Sequence, residues 1–258
     1  MHLTRFAFLA LCSAVICAAP FAKAADAGFT TSFQTLDKQI WTISDGWTNG
    51  DWQACEWRAD ALSFDQGNLL LTLSDKGGKL RPYSCPEIQT NAKHGYGLYE
   101  ARLRTAAGSG LNTAFFTYIG PPFGVPQHDE IDFEFLGKDP RTVQVNYWVN
   151  GKSRDGKIIP LGFDASKEFH DYAIEWAPQK IRWYVDGQIV HTTPDDAVLP
   201  RNPGKLFFSL WVGSKINENW LGPFHYTAPI TAEIARAAFT PMNEPCPFPQ
   251  SPTCKQKR

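Results

Sequence analysis

His128-Asp129-Glu130-Ile131-Asp132-Phe133-Glu134-Phe135-Leu136-Gly137 is the stretch whose reading decides the fold. Acidic and apolar residues alternate along it with the period of a β-strand, in which successive side chains point to opposite faces. His128, Glu130, Asp132 and Glu134 then share one face, while Ile131, Phe133 and Phe135 share the other and need a core beneath them. Three carboxylates in a row on one face repel each other, so something must offset that cost. A solvated outer face and a calcium site are the plain readings. Nearby segments, however, carry aromatics and amides in place of the Lys or Arg that would neutralise the acids, which favours a cleft built for sugar.

The same period continues on both sides. Asn68 to Leu73 is a short apolar run bounded by turn residues, and Gly97 to Leu103 alternates. Ile181 to Val185, Asp186-Gly187 and Gln188 to His191 form a hairpin signal with a two-residue turn. Thr142 to Trp148 and Lys205 to Trp211 read as two further strands. Many strands at close spacing, punctuated by Gly, Pro and Asn, predict an all-β sandwich or jelly roll. One segment disagrees: Thr231 to Ala238 has helix-forming composition where a terminal strand would suit the architecture better.

The chain has 258 residues, enough for one substantial core. Lys and Arg number 25 against 26 Asp and Glu, with no basic stripe, so nucleic acid is excluded as a partner. Aromatics reach 14%, with 9 Trp, and flat rings serve sugar clefts as well as cores. Residues 1–24 read as a signal peptide: Arg5, an apolar run from Phe6 to Ala19 too short to span a bilayer, then Ala22-Lys23-Ala24 as the cleavage site. Leu11 before Cys12 and Ile16 before Cys17 disfavour lipidation. The mature protein is expected to be secreted, without a membrane anchor, and monomeric. Residues 25–240 are expected to form the catalytic domain and 241–258 an extended, Pro-rich tail pinned by a disulfide.

Cys55, Cys85, Cys246 and Cys254 remain after the leader, an even number in an oxidising compartment. Disulfides are favoured over metal binding, since no CxxC pair or His cluster accompanies them. Cys55–Cys85 with Cys246–Cys254 is the simplest of three connectivities. No metal or other cofactor is expected.

The acidic face suits one chemistry in particular. Retaining glycosidases place two carboxyl groups about 5–5.5 Å apart, one as nucleophile and one as acid/base. Glu130 and Glu134 would have Cα atoms roughly 13 Å apart on a flat strand, so a concave sheet has to bring the side chains together. Asp132 between them could set which neighbour holds the proton.

At these residues the chain resembles glycoside hydrolase family 16, and within it the bacterial endo-1,3-1,4-β-glucanases. The likeness runs from Asp45-Gly46-Trp47-Thr48-Asn49-Gly50 through Cys55-Glu56-Trp57-Arg58, Tyr96-Gly97-Leu98-Tyr99-Glu100, Phe115-Phe116-Thr117-Tyr118 and the acidic strand. It continues through Leu161 to Lys167, Trp183-Tyr184-Val185-Asp186-Gly187, Leu210-Trp211 and Asn219-Trp220-Leu221-Gly222, up to about Ala232. The resemblance implies a curved β-jelly-roll with a cleft on its concave face and a retaining mechanism. Glu130 is then the nucleophile, Glu134 the acid/base and Asp132 the assisting carboxylate. Asn49, Glu87, Phe116, Tyr118, Asn146, Trp148, Trp211 and Trp220 match cleft positions that hold or stack sugars. Cys55 and Cys85 match the family's disulfide.

The departures bear on substrate. His128 stands where typical members of that branch have Trp, as in the plant xyloglucan-modifying branch, and is counted among the substrate-binding walls. Gln89 replaces an Arg and Ser209 an Asn, and Ala235 replaces the Asp of a structural calcium site. Some relatives trim acidic, glucose-rich exopolysaccharides such as succinoglycan, so a polysaccharide of that type stands beside plain β-glucan as substrate. Transglycosylation and a non-catalytic sugar-binding jelly roll are the other readings; the latter predicts loss of one of the three acids, and all three are present.

Overall fold

The computed structural model describes residues 27–120, 124–246 and 250–255; the leader reading therefore lies outside the described residues. Two eight-stranded antiparallel sheets pack against each other. The site sheet runs, in spatial order, Lys152–Ser153, Thr142–Val149, Glu130–Leu136, Leu111–Tyr118, Lys205–Val212, Glu87–Thr90 and Trp41–Ile43, with Lys157–Pro160 also paired to Thr142–Val149. The back sheet runs Gln188–Thr192, Lys180–Val185, His170–Ala177, Gly97–Arg104, Ile230–Pro241, Asn68–Leu73 and Leu62–Asp65, with Phe29–Ser32 beside Ile230–Pro241. The acidic strand thus lies inside its sheet, hydrogen-bonded on both edges.

The apolar face of that strand anchors the space between the layers. Ile131, Phe133 and Phe135 are buried, and Phe115, Phe133 and Phe208 from three site-sheet strands stack with ring centroids 6.0 and 5.3 Å apart. Tyr172 of the back sheet meets Phe133 and Phe135 edge-on at 5.6 and 4.8 Å. Each buried ring contributes about 1.5–3 kcal/mol relative to exposure, so the side chains that hold the sheets together also fix which way the acids point. A one-residue slip would bury all three.

The predicted hairpin forms with Asp186 at φ 48° and Gly187 at φ 78°, the left-handed pair that a two-residue type I′ turn requires. Thr231 to Ala238 is strand, within Ile230–Pro241, and the helix-like composition has a structural cause. The register shifts between Ile234 and Arg236, so the residues buried on either side of this bulge include Ile234, Ala237 and Ala238, which mimics a helical i, i+3, i+4 spacing.

Cys55 and Cys85 are bridged, their Cα atoms 5.7 Å apart, where the short parallel strands Cys55–Trp57 and Tyr83–Cys85 meet. Cys246 and Cys254 are bridged as well. The tail departs from the extended appendage read in the sequence: Pro252–Lys255 is a helical turn, and the Ser251 hydroxyl donates to buried Glu100. Cys254 packs with Leu98, Ala173 and Tyr184 of the back sheet. The small apolar cluster beneath it gives the tail somewhere to dock, which composition alone did not disclose.

Candidate active site

Strand register sets out, in rows, the face of the site sheet that points away from the space between the layers. Trp148, Glu130, Tyr118 and Lys205 face one another across four strands. The next row is Asn146, Asp132, Phe116, Phe207 and Gln89, and the third is Gln144, Glu134, Ala114, Ser209 and Glu87. From the core side, the indole of Trp183 on the back sheet donates to the Asp132 carbonyl at 3.0 Å, pinning the middle of the acidic strand.

The three acids differ in what holds their charge. Burial pushes Glu134 up to about 8, aided by the negative charge of Glu130 and opposed by Asn112, whose Nδ2 donates to Glu134 Oε1 at 3.0 Å. Glu130 is also raised by burial, but a hydrogen bond of 2.7 Å with His128 Nε2 holds it back. Asp132 is raised well above the ordinary carboxylate range by burial, then by Glu134 and Glu130, with the Asn146 backbone N–H opposing. Burial and the Glu130 charge are what raise Glu134.

The other predicted residues are placed as follows. Tyr118 is pushed up to about 12 by burial and by the charges of Glu130 and Glu87, so its hydroxyl stays neutral beside the acids. Trp148 is half-buried and stacks on His128 at 5.2 Å. Phe116 stacks on Phe207 at 4.9 Å and is only partly covered. Trp211 packs edge-on against Trp52 at 5.0 Å, with Trp220 5.9 Å away. The Trp220 indole donates to Gln144 Oε1 at 2.9 Å, which ties the short helix Glu218–Leu221 to the third row. Asn146 is buried, and its Oδ1 accepts from the Ser153 hydroxyl and the backbone of Asp155 and Gly156. Asn49 lies on a loop joined to the end of the site sheet, its Oδ1 accepting from the Trp57 indole at 3.1 Å.

His128 requires a correction. Its ring has 0% exposure, so it is not a wall of the cleft but a buried partner beneath the Glu130 carboxylate. The flanking backbone bonds hold it there, since its N–H reaches the Val125 carbonyl and its carbonyl accepts from Gly151. Gln89, one of the substituted positions, belongs to a hydrogen-bonded chain. Lys205 Nζ donates to Gln89 Oε1 (2.8 Å), Gln89 Nε2 to Ser44 Oγ (3.1 Å), and Ser44 Oγ to Glu87 Oε1 (2.6 Å). Glu87 is 3% exposed, and burial pushes it up to about 8 against the Ser44 bond. Ser209 is buried opposite Glu87, and Ala235 sits at the back-sheet bulge.

Asn112, Ser44, Gln144 and Asp129 were not singled out in the sequence. Asn112, like Phe116 and Tyr118, sits on the site face of Leu111–Tyr118, and that alternation was the available signal. Asp129 is buried, accepting from the backbone of Asn150, Arg201 and Asn202, and so joins two loops beside the acidic strand. Among the described residues, no group of three or more His, Cys, Asp or Glu is arranged to hold a metal ion.

A carboxyl that keeps its proton, four residues along a strand from one supplied with a hydrogen-bond donor, is the division of labour that glycoside hydrolysis uses. The description glycosyl hydrolases family 16 matches residues 49–227, and the chain belongs to this family of glycoside hydrolases. It is 44% identical over 230 residues to an endo-1,3-1,4-beta-glycanase, ExoK, of Rhizobium meliloti (strain 1021), covering 89% of this chain and 85% of that protein. It is 40% identical to a beta-glucanase of Bacillus subtilis (strain 168), covering 82% of this chain and 86% of the relative. A solved prokaryotic beta-1,3-1,4-glucanase (lichenase) from a mouse hindgut metagenome superposes with a TM-score of 0.77 at 41% identity, over 83% of this chain and 99% of that one. The two-layer arrangement is thus the family's curved jelly-roll sandwich, with the acids on the cleft face.

Proposed function

We propose that the protein is a secreted, retaining endo-β-glycanase that hydrolyses a 1,3-1,4-β-linked glucan-type polysaccharide. The observation that carries the reading is the pairing on one strand face of Glu134, which burial and Glu130 push up to about 8 against the Asn112 bond, with Glu130, which is hydrogen-bonded to His128. Glu130 attacks the anomeric carbon while Glu134 gives its proton to the leaving oxygen. The bond to that oxygen breaks, and a glycosyl ester forms on Glu130. Glu134, now a carboxylate, takes a proton from water as the water oxygen attacks the anomeric carbon, whose bond to the Glu130 oxygen breaks. That releases the sugar and restores both side chains. Phe116, Tyr118, Trp148, Trp211 and Trp220 supply ring faces along the cleft, while Asn49, Asn146 and Glu87 supply polar groups for sugar hydroxyls.

Glu130→Gln tests the assignment: it should abolish release of reducing ends, and wild-type release would remove Glu130 as nucleophile. A proton NMR time course on an oligosaccharide should show the β-anomer first; the α-anomer first would mean inversion. A bacterial exopolysaccharide such as succinoglycan is the second substrate reading, and it rests on the altered cleft positions Gln89 and Ser209. Chain-length analysis of barley β-glucan, lichenan, laminarin, xyloglucan and succinoglycan after incubation with the protein separates the two, and excess acceptor oligosaccharide reveals any transglycosylation.

A further inference from the structure

We propose that His128 is a positioning residue for the nucleophile: a buried imidazole fixed in one tautomer, presenting its Nε2–H to Glu130 and touching no substrate. The inference rests on the reading of Glu130 as nucleophile. Three observations carry it. His128 has 0% exposure, so it offers the cleft no surface. Its Nδ1 accepts the backbone N–H of Gly124 at 3.1 Å, which leaves the ring proton on Nε2. That nitrogen lies 2.7 Å from Glu130 Oε2 and so donates to the carboxylate. A proton on Nδ1 would meet the Gly124 N–H head-on, so the geometry selects one hydrogen-bond direction.

The surroundings fix the ring plane as well. Trp148 stacks on one side at 13° to the imidazole, and Tyr118 stands edge-on at 74°, both centroids within 5.2 Å. These two residues also flank Glu130 across the sheet. Glu130 therefore has one oxygen held by His128, which leaves the other oriented for attack. The ionisable groups facing Glu130 are Asp132 and Glu134 on its own strand and Tyr118 on the next, with Lys205 beyond Tyr118. Among the described residues, His128 donates to the Glu130 carboxylate.

Two variants separate this role from packing. In His128→Gln the terminal amide reaches roughly where Nε2 lies, while in His128→Asn it reaches only to the Nδ1 position. The Asn variant should lose about tenfold or more in kcat with KM little changed. The acidic limb of its kcat/KM profile should move to higher pH, because a carboxylate deprived of a donor binds its proton more tightly. The Gln variant should recover much of both. Equal limbs in wild type and both variants, or a loss confined to KM, would overturn the proposal. Imidazole nitrogen NMR on the unaltered protein gives a check free of folding effects: His128 should be the Nε2–H tautomer, and an Nδ1–H tautomer refutes it. If Glu130→Gln stays active, the nucleophile assignment fails; if it is dead while His128→Asn keeps the wild-type limb, only the present inference fails.

Discussion

The proton on Glu134 is governed by residues that a strand pattern does not show. Burial and the Glu130 charge raise it, and the Asn112 amide works against them. Hydrogen bonds to charged groups contribute about 1.5–3 kcal/mol, and about 1.4 kcal/mol corresponds to one pH unit. Asn112→Ala removes a donor that favours the carboxylate, so the Glu134 pKa should rise. The basic limb of kcat/KM should then move to higher pH by about one unit, read from initial rates across the alkaline range. Asp132→Asn should leave that limb in place, because burial and the Glu130 charge are what raise Glu134. A limb displaced by the Asp132 variant and indifferent to Asn112 would reverse the assignment. The acids themselves were legible because alternation is local. Asn112 was not, because what it does depends on a contact across 22 positions of sequence.

Among the elements, the C-terminal tail is the separable one. It is held by the Cys246–Cys254 bridge, by Ser251 on Glu100 and by packing on Leu98 and Tyr184, all on the back sheet and away from the acids. Closing a loop of 8 residues removes about 2–3 kcal/mol of denatured-state entropy in the chain-entropy account. Cys246→Ser with Cys254→Ser should lower the melting temperature by several degrees and leave kcat/KM unchanged. The same pair of substitutions at Cys55 and Cys85 should cost stability and activity together, since that bridge lies one residue from Pro86 and two from Glu87. Activity lost with the tail bridge alone would place the tail in the catalytic machinery. Element by element, legibility followed range. The Asp186-Gly187 hairpin announced itself through turn chemistry, and the runs at Asn68–Leu73 and Thr142–Val149 through period. Ile230–Pro241 was obscured because one bulge shifts its phase, and docking of the tail because Leu98, Ala173 and Tyr184, on three separate strands, receive it.

For the whole molecule, the site opposes stability at the pH where the proposed chemistry runs. Glu87 and Glu134 each rise from 4.5 to about 8 on folding, chiefly through burial. Between those values the folded chain holds protons that the unfolded chain has released, so the folded state binds more protons and stability falls with rising pH. The contribution is fully present below about 4.5 and is lost as pH climbs through about 8, amounting to a few kcal/mol for a shift of this size. Exposed acids such as Asp164 and Asp195 are shifted the other way and act below this window, so they do not mask the slope. Melting temperature should therefore decline from pH 5 to pH 8 at constant ionic strength. Glu130 and Asp132 are raised too and add to the slope, so Glu87→Gln should flatten the decline in part, and Glu87→Gln with Glu134→Gln should flatten it further. A slope the same in all three proteins would mean that neither carboxyl keeps its proton in the fold. The contrast between Glu134 and Glu130, on which the acid and nucleophile roles depend, would then lose its physical basis.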